Sequence, residues 1–173
     1  TKTKIILDAD VIIHFYKGGC LTLLPKILPA YQYIVLSHVY QEIKGDLKNQ
    51  LSNQINLLKN IQLVEFAPKG DMLREYSLLL RERGKGESAC MVYCKYNHDV
   101  LGSSNLKDIT DYCQANDMTI VTPYELRHTF ISMAKYLPEG LVKPLVGHSK
   151  DMDTFGVYGH LLNGDEEIVA EEL

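Results

Sequence analysis

The chain has 173 residues, 46% of them hydrophobic and 23% charged, with a formal net charge of −4. That is enough for one α/β domain with an appendage, and it excludes a bilayer-spanning segment, because no apolar run approaches the roughly 20 residues required. TKTKIILDAD runs straight into a strand, so no signal peptide is expected. Cys20, Cys90, Cys94 and Cys113 form no C-x-x-C pair, which reads as reduced core thiols in a cytoplasmic protein rather than zinc ligands or disulfides.

Lys4 to Asp8 predicts a buried strand, a short apolar run ending in an acid. Val11 to Tyr16 begins a helix that Gly18-Gly19 breaks, and Leu21 to Leu28 is a short helical stretch before Pro29. Tyr33 to Leu36 is a second strand, and Ser37 is placed to cap the helix that carries Glu42. Leu47, Leu51, Ile55 and Leu58 stand at helical spacing on an amphipathic helix. Ile61 to Phe66 is a third strand, ended by Pro68, and Asp71 to Arg83 another helix. Gly84-Lys85-Gly86 reads as a turn, followed by a buried helix from Glu87 to Tyr96. Val100 to Gly102 is a strand, Leu106 to Gln114 a helix, and Met118 to Val121 a last strand. Short apolar strands alternating with helices predict a three-layer α/β/α architecture around a parallel sheet.

From Thr122 the text changes. Residues 1–122 hold 14 Lys and Arg against 13 Asp and Glu, whereas residues 123–173 hold 4 against 9. The tail reads as a helical C-terminal extension. Pro123 suits a first helical position, and Leu126, Phe130, Met133 and Ala134 form an apolar stripe suited to packing on the domain. A second helix is expected over Glu139 to Val146 and a third leading to Tyr158, with an acidic end from Gly164. A segment of net charge −5 is a poor electrostatic partner for DNA.

Four carboxylates carry the candidate chemistry. Asp8 ends the first strand, Glu42 lies one turn into the helix after the second, Glu87 opens a buried helix, and Asp108 opens the helix after the fourth strand. In an open parallel sheet, ligands bind at the carboxyl ends of the strands. Carboxylates gathered there repel one another unless they are protonated or hold a cation, and hard oxygen ligands favour Mg²⁺ or Mn²⁺. Such an ion activates water and offsets charge on a phosphoryl oxygen. The plainer alternatives are a helix N-terminal acid for Glu87 and Asp108 and a solvated helix residue for Glu42. His14 and His38 read as ordinary helix residues.

IILDADVIIHF, VLSHVYQEI, GKGESACMVYCKYN and VLGSSNLKDITDYC resemble a PIN domain, the metal-dependent ribonuclease fold of many bacterial toxins. The resemblance implies that Asp8, Glu42 and Glu87 are the first three acids of the site. Many PIN domains place a fourth directly after the fourth strand, where this chain has Ser103-Ser104-Asn105, and Asp108 is the nearest carboxylate. Asp10 stands where a small polar residue is usual and supplements the site. The resemblance implies catalysis by Asp8, Glu42, Glu87 and Asp108, with Mg²⁺ or Mn²⁺ held by Asp8, Glu87 and Asp108. It also implies an RNA substrate and a toxin-like role, with an antitoxin and a second copy of the chain as candidate partners.

TPYELRHTF and LVGHSKDMDTFGVYGH resemble the C-terminal end of a tyrosine recombinase or phage integrase. That likeness implies phosphate binding by Arg127, transition-state support by His148 and a nucleophilic Tyr158. Tyr124 stands where many members have another His, and the family's upstream Arg, Lys and DNA-gripping domain are replaced by PIN-like text. The reading is a PIN-type endoribonuclease over residues 1–122 with an inert, incomplete recombinase-like segment over residues 123–173. The alternatives are DNA strand cleavage and joining through the recombinase remnant, with DNA as the partner, or a degenerate PIN-fold binding module.

Overall fold

The structure, a computed structural model, describes residues 2–146. In chain order the elements are β1 (Lys4–Leu7), α1 (Ala9–Lys17), α2 (Leu24–Ile27), β2 (Gln32–Leu36), α3 (Ser37–Glu42), α4 (Gly45–Asn56), β3 (Ile61–Val64), α5 (Gly70–Leu79), α6 (Lys85–Asn97), β4 (Val100–Gly102), α7 (Leu106–Ala115), β5 (Ile120–Val121), α8 (Pro123–Met133) and α9 (Glu139–Val146). The five strands form one parallel sheet in the order β3-β2-β1-β4-β5. This is the expected α/β/α arrangement, and none of the described helices is long and apolar enough to cross a membrane.

The strand order decides where a site can form. From β1 the chain steps outward through β2 to β3, then returns to place β4 on the other side of β1. The order therefore reverses between β1 and β4, and the crevice at their carboxyl ends is the switch point of the sheet. Ile5, Ile6 and Leu7 in β1 and Ile34, Val35 and Leu36 in β2 are essentially inaccessible, as strands covered on both faces must be. Helix α6 is the deepest helix: Ser88, Ala89, Cys90, Met91, Val92 and Cys94 are all fully buried. Its small side chains let it lie close under the sheet, and the Cys90 thiol reaches 3.8 Å from the Leu7 carbonyl. All four cysteines are free. On the outer side of α6, Glu75 Oε1 accepts hydrogen bonds from Lys95 Nζ at 2.6 Å and from the Tyr112 hydroxyl at 2.7 Å, fastening α5, α6 and α7 together.

Several boundaries differ from the sequence expectation. Gly84-Lys85-Gly86 is not a free turn, because α6 already begins at Lys85 and Gly86 lies inside it. The amphipathic helix α4 stops at Asn56, so Leu58 falls beyond it and is exposed. The helix from Asp71 stops at Leu79, and β3 stops at Val64. Ser37 does not cap α3, whose N-cap is Leu36 without a side-chain bond. Instead its buried hydroxyl accepts the Phe66 N–H at 3.1 Å, tying the end of β2 to the chain after β3. Ser37→Ala leaves that amide without a partner, so a loss of about 1–3 kcal/mol is expected, read as a lower Tm in thermal unfolding. An unchanged Tm would show that water takes over the bond.

The chain divides into two compact units, the first ending at Pro123 and the second beginning at Tyr124. Within the second, Ile131, Ala134, Val142 and Val146 form a small core with Phe130 packed against it, drawing α8 and α9 together. Leu126 is fully buried. Met133, expected on the same stripe, is 42% exposed. Ile131 takes the inward place because the partner of this face includes α9, which turns the buried stripe of α8 away from Met133.

Candidate active site

Asp8 follows β1 directly and caps α1, its Oδ1 accepting the Ala9 N–H at 2.7 Å. Asp8 is only 7% exposed. Burial, followed by the charge of Asp10, pushes its pKa up to about 7. The Ala9 amide works against that shift, while Glu87 and Glu42 add to it. Four acids from three parts of the chain therefore share one electrostatic neighbourhood at the switch point of the sheet.

The segment after β4 supplies the neutral donors that hold these acids. Ser103 Oγ lies 3.4 Å from Asp8 Oδ2 and 3.2 Å from Asp10 Oδ2. The Ser104 N–H and hydroxyl both donate to Asp10 Oδ2, at 2.7 and 2.6 Å. Asp10 Oδ1 is buried with no hydrogen-bond partner. The Asn105 side-chain amide donates to Glu87 Oε1 at 2.7 Å and to Asp108 Oδ2 at 2.8 Å, bridging the two carboxylates. Ser103-Ser104-Asn105 thus touches every acid of the group except Glu42. The sequence reading marked these three residues only as the place where an acid was missing. Their signal was short hydrogen-bonding side chains directly after a strand end.

Glu87 sits on the first turn of α6. Burial raises its pKa, opposed by the Asn105 bond, with Asp108 and Asp10 raising and Arg83 lowering it further. Arg83 holds its place by donating from Nε and Nη2 to the Asp108 carbonyl, at 3.2 and 2.7 Å. Glu42 has a different attachment: its Oε1 accepts the Gly86 N–H at 2.8 Å, satisfying one of the open amides at the start of α6. A Cβ on Gly86 would stand 2.6 Å from Glu42 Oε2, so only glycine admits this approach. Asp108 lies on the exposed first turn of α7. His38 packs edge-on against Phe66 and Tyr76, and His14 Nδ1 lies 2.8 Å from the Asp10 carbonyl.

Among the described residues, no three His, Cys, Asp or Glu side chains stand together as a group that could hold a metal ion. Of the expected trio, Glu87 and Asp108 are bridged by the Asn105 amide, while Asp8 is joined to Asp10 through Ser103. What the site offers is the Asp8–Asp10 pair, joined through Ser103, with one orphaned buried oxygen and one carboxyl deprived of its normal ionisation. That suits a small hard cation which keeps most of its water and takes only one or two carboxylates, as Mg²⁺ does. Of the recombinase-like residues, Arg127 lies half-buried on α8 with its Nε meeting no acceptor among the described residues, while His148 and Tyr158 lie outside them.

Comparison with family models and with curated proteins gives no match. Among solved structures, VapBC-1 from nontypeable Haemophilus influenzae is similar in fold, with a TM-score of 0.50 at 14% sequence identity over 70% of this chain and 98% of that one. The chain has a PIN-like fold.

Proposed function

We propose that this chain is a divalent-cation-dependent phosphodiester hydrolase that cleaves RNA, acting as a toxin-like endoribonuclease held in check by an antitoxin protein. The observation that carries the reading is the buried Asp8 carboxyl, pushed up to about 7 among Asp10, Glu87 and Glu42 at the switch point of the sheet. Unbalanced negative charge of this kind marks a site whose natural occupant is positive. The similarity in fold to VapBC-1 supports the toxin-like role and the antitoxin partner.

In this reading Asp8 and Asp10 hold Mg²⁺ or Mn²⁺, and Ser103 keeps their carboxylates together. The bound ion supplies an activated water and charge compensation at the phosphoryl oxygen. Glu87, with Oε1 fixed by Asn105, takes up a proton at its other oxygen. Glu42 sets the start of α6 and hence the position of Glu87. Arg83, Lys85 and Lys107, on the turns around the acids, attract the RNA backbone. The tail contributes no phosphoryl chemistry, because a pentavalent phosphate needs several fixed donors and the segment is net acidic.

The test is cleavage of single-stranded RNA by the full chain with Mn²⁺, with Mg²⁺ and with EDTA. Cleavage that requires the ion and disappears in EDTA is expected. In parallel, nicked DNA suicide substrates are expected to trap no covalent adduct. Metal-independent cleavage would overturn the reading, and an adduct lost in Tyr158→Phe would replace it with the recombinase alternative. Absence of both Mn²⁺ binding and cleavage would leave a PIN-fold binding module.

A further inference from the structure

The acids at the switch point fall into two pairs that are held differently. Asp8 and Asp10 are joined through the Ser103 hydroxyl, and Asp10 Oδ1 is left buried with no partner. Glu87 and Asp108 are joined through the Asn105 side-chain amide, which donates to Glu87 Oε1 at 2.7 Å and to Asp108 Oδ2 at 2.8 Å. That nitrogen carries two N–H groups, and the two carboxylates use both. The orientation is thereby fixed, because the amide oxygen turned the same way would meet only acceptors. The loop steadies it, since the Asn105 backbone N–H donates to Ser103 Oγ at 3.2 Å. Arg83, anchored on the Asp108 carbonyl at 3.2 and 2.7 Å, adds a positive charge that acts on Glu87.

Geometry shows what this amide displaces. Two oxygens that accept the two hydrogens of one amide nitrogen, about 120° apart, stand about 5 Å from each other. An octahedral Mg²⁺ with bonds of about 2.1 Å draws neighbouring oxygens to about 3 Å and opposite ones to about 4 Å. An ion bridging Glu87 and Asp108 must therefore evict the Asn105 nitrogen and pull the two carboxylates inward. Asn105 is also neutral, so it satisfies both oxygens without adding the further negative charge that would favour a cation. One pair has its donors built in, whereas the other keeps an open oxygen on Asp10.

We propose that the Asn105 amide stands in for a cation between Glu87 and Asp108, so that this half of the site holds no ion and a divalent cation is confined to Asp8 and Asp10. Asn105 is a positioning residue, a neutral donor that sets the separation of two carboxylates. The placement of the ion rests on the cation-dependent reading above, whereas the exclusion at Glu87 and Asp108 stands without it.

Counting bound Mn²⁺ on the full chain at pH 8, from the loss of the free-ion signal in electron paramagnetic resonance, tests this. A single ion per chain is expected for the natural sequence, largely lost in Asp8→Asn and kept in Asp108→Asn. Asn105→Asp replaces the amide by a carboxylate and should add a second ion, which survives Asp8→Asn and disappears with Asp108→Asn. Asn105→Ala removes the donors without adding charge, and its second ion should bind about ten-fold or more weakly than that of Asn105→Asp. Circular dichroism checks that each variant folds. Because Asp108 is exposed, Asp108→Asn keeps the fold and decides the point by itself if the Asn105 variants do not fold. A natural chain that binds no ion beside an Asn105→Asp variant that binds one supports the stand-in and removes only the ion at Asp8 and Asp10 from the proposed function. An ion in the natural chain that is lost in Asp108→Asn overturns the proposal, as does an ion count unchanged in folded Asn105→Asp and Asn105→Ala.

Discussion

Asp8→Asn is expected to raise the Tm at pH 8 by about 5–10 °C while lowering RNA cleavage by about 10²–10³-fold or more. The two effects share one cause. A carboxyl whose folded pKa stands at about 7 against an ordinary 3.8 binds its proton more tightly in the folded state. The contribution of Asp8 to stability is therefore greatest below pH 4, falls as pH rises from about 4 to about 7, and stays at the lower level above. The shift corresponds to at most about 4 kcal/mol at pH 8. Asn removes the charge, keeps an oxygen for the Ala9 N–H, and can still bond Ser103. The gain in Tm should shrink to a small remainder at pH 4, where Asp8 is protonated in the folded state and about half protonated in the unfolded one. Thermal unfolding of both proteins at the two pH values, without added metal, decides the point. A variant less stable than the natural chain at pH 8 would show that Asp8 is a structural cap and nothing more, and undiminished cleavage would remove it from the catalytic set.

The apparent affinity for Mn²⁺ is expected to rise about ten-fold per pH unit between about pH 5 and 7 and then level off. Below its pKa of about 7, Asp8 must give up a proton before it can take a cation, so ion and proton compete for the same oxygens. Calorimetric titration in buffers of different ionisation enthalpy should show close to one proton released per ion at pH 6 and almost none at pH 8. In Asp8→Asn the pH dependence should disappear together with most of the affinity. An affinity that is flat across this range would place the ion away from Asp8.

The sheet was readable because each strand is a short apolar run with a turn after it. β1, β2 and β4 pack on both faces, and nothing in their pattern competes with burial. What escaped the reading depended on contacts between distant segments. The local pattern of Gly84-Lys85-Gly86 is that of a turn, and only the Glu42 carboxylate, arriving from α3, shows why Gly86 belongs to a helix. Ser37 has the look of a cap, yet its hydroxyl is used by Phe66. In the site, Asp8 stood out because an acid at the end of a buried strand has few other reasons to be there. Asp10 was underweighted, although after burial it is the largest influence on Asp8. Ser103, Ser104 and Asn105 carry no charge, so no pattern of acids could reveal that they hold the acids in place. The stripe on α8 was visible, but its rotation was not, because Met133 and Ile131 are equally apolar and only α9 distinguishes them.

The bond from Ser103 to Asp8 spans 95 residues, and that from Gly86 to Glu42 spans 44. A growing chain on the ribosome therefore carries its first acids long before the segments that organise them. With β4 unmade, Asp8 loses part of the burial that raises its pKa, and no Ser103 pairs it with Asp10. If the chain cleaves RNA as proposed, this order of assembly is protective. The nascent polypeptide would then pass most of its synthesis beside the ribosome and its message with the acids unassembled, since Ser103 reaches Asp8 only when the loop after β4 folds back on the first strand.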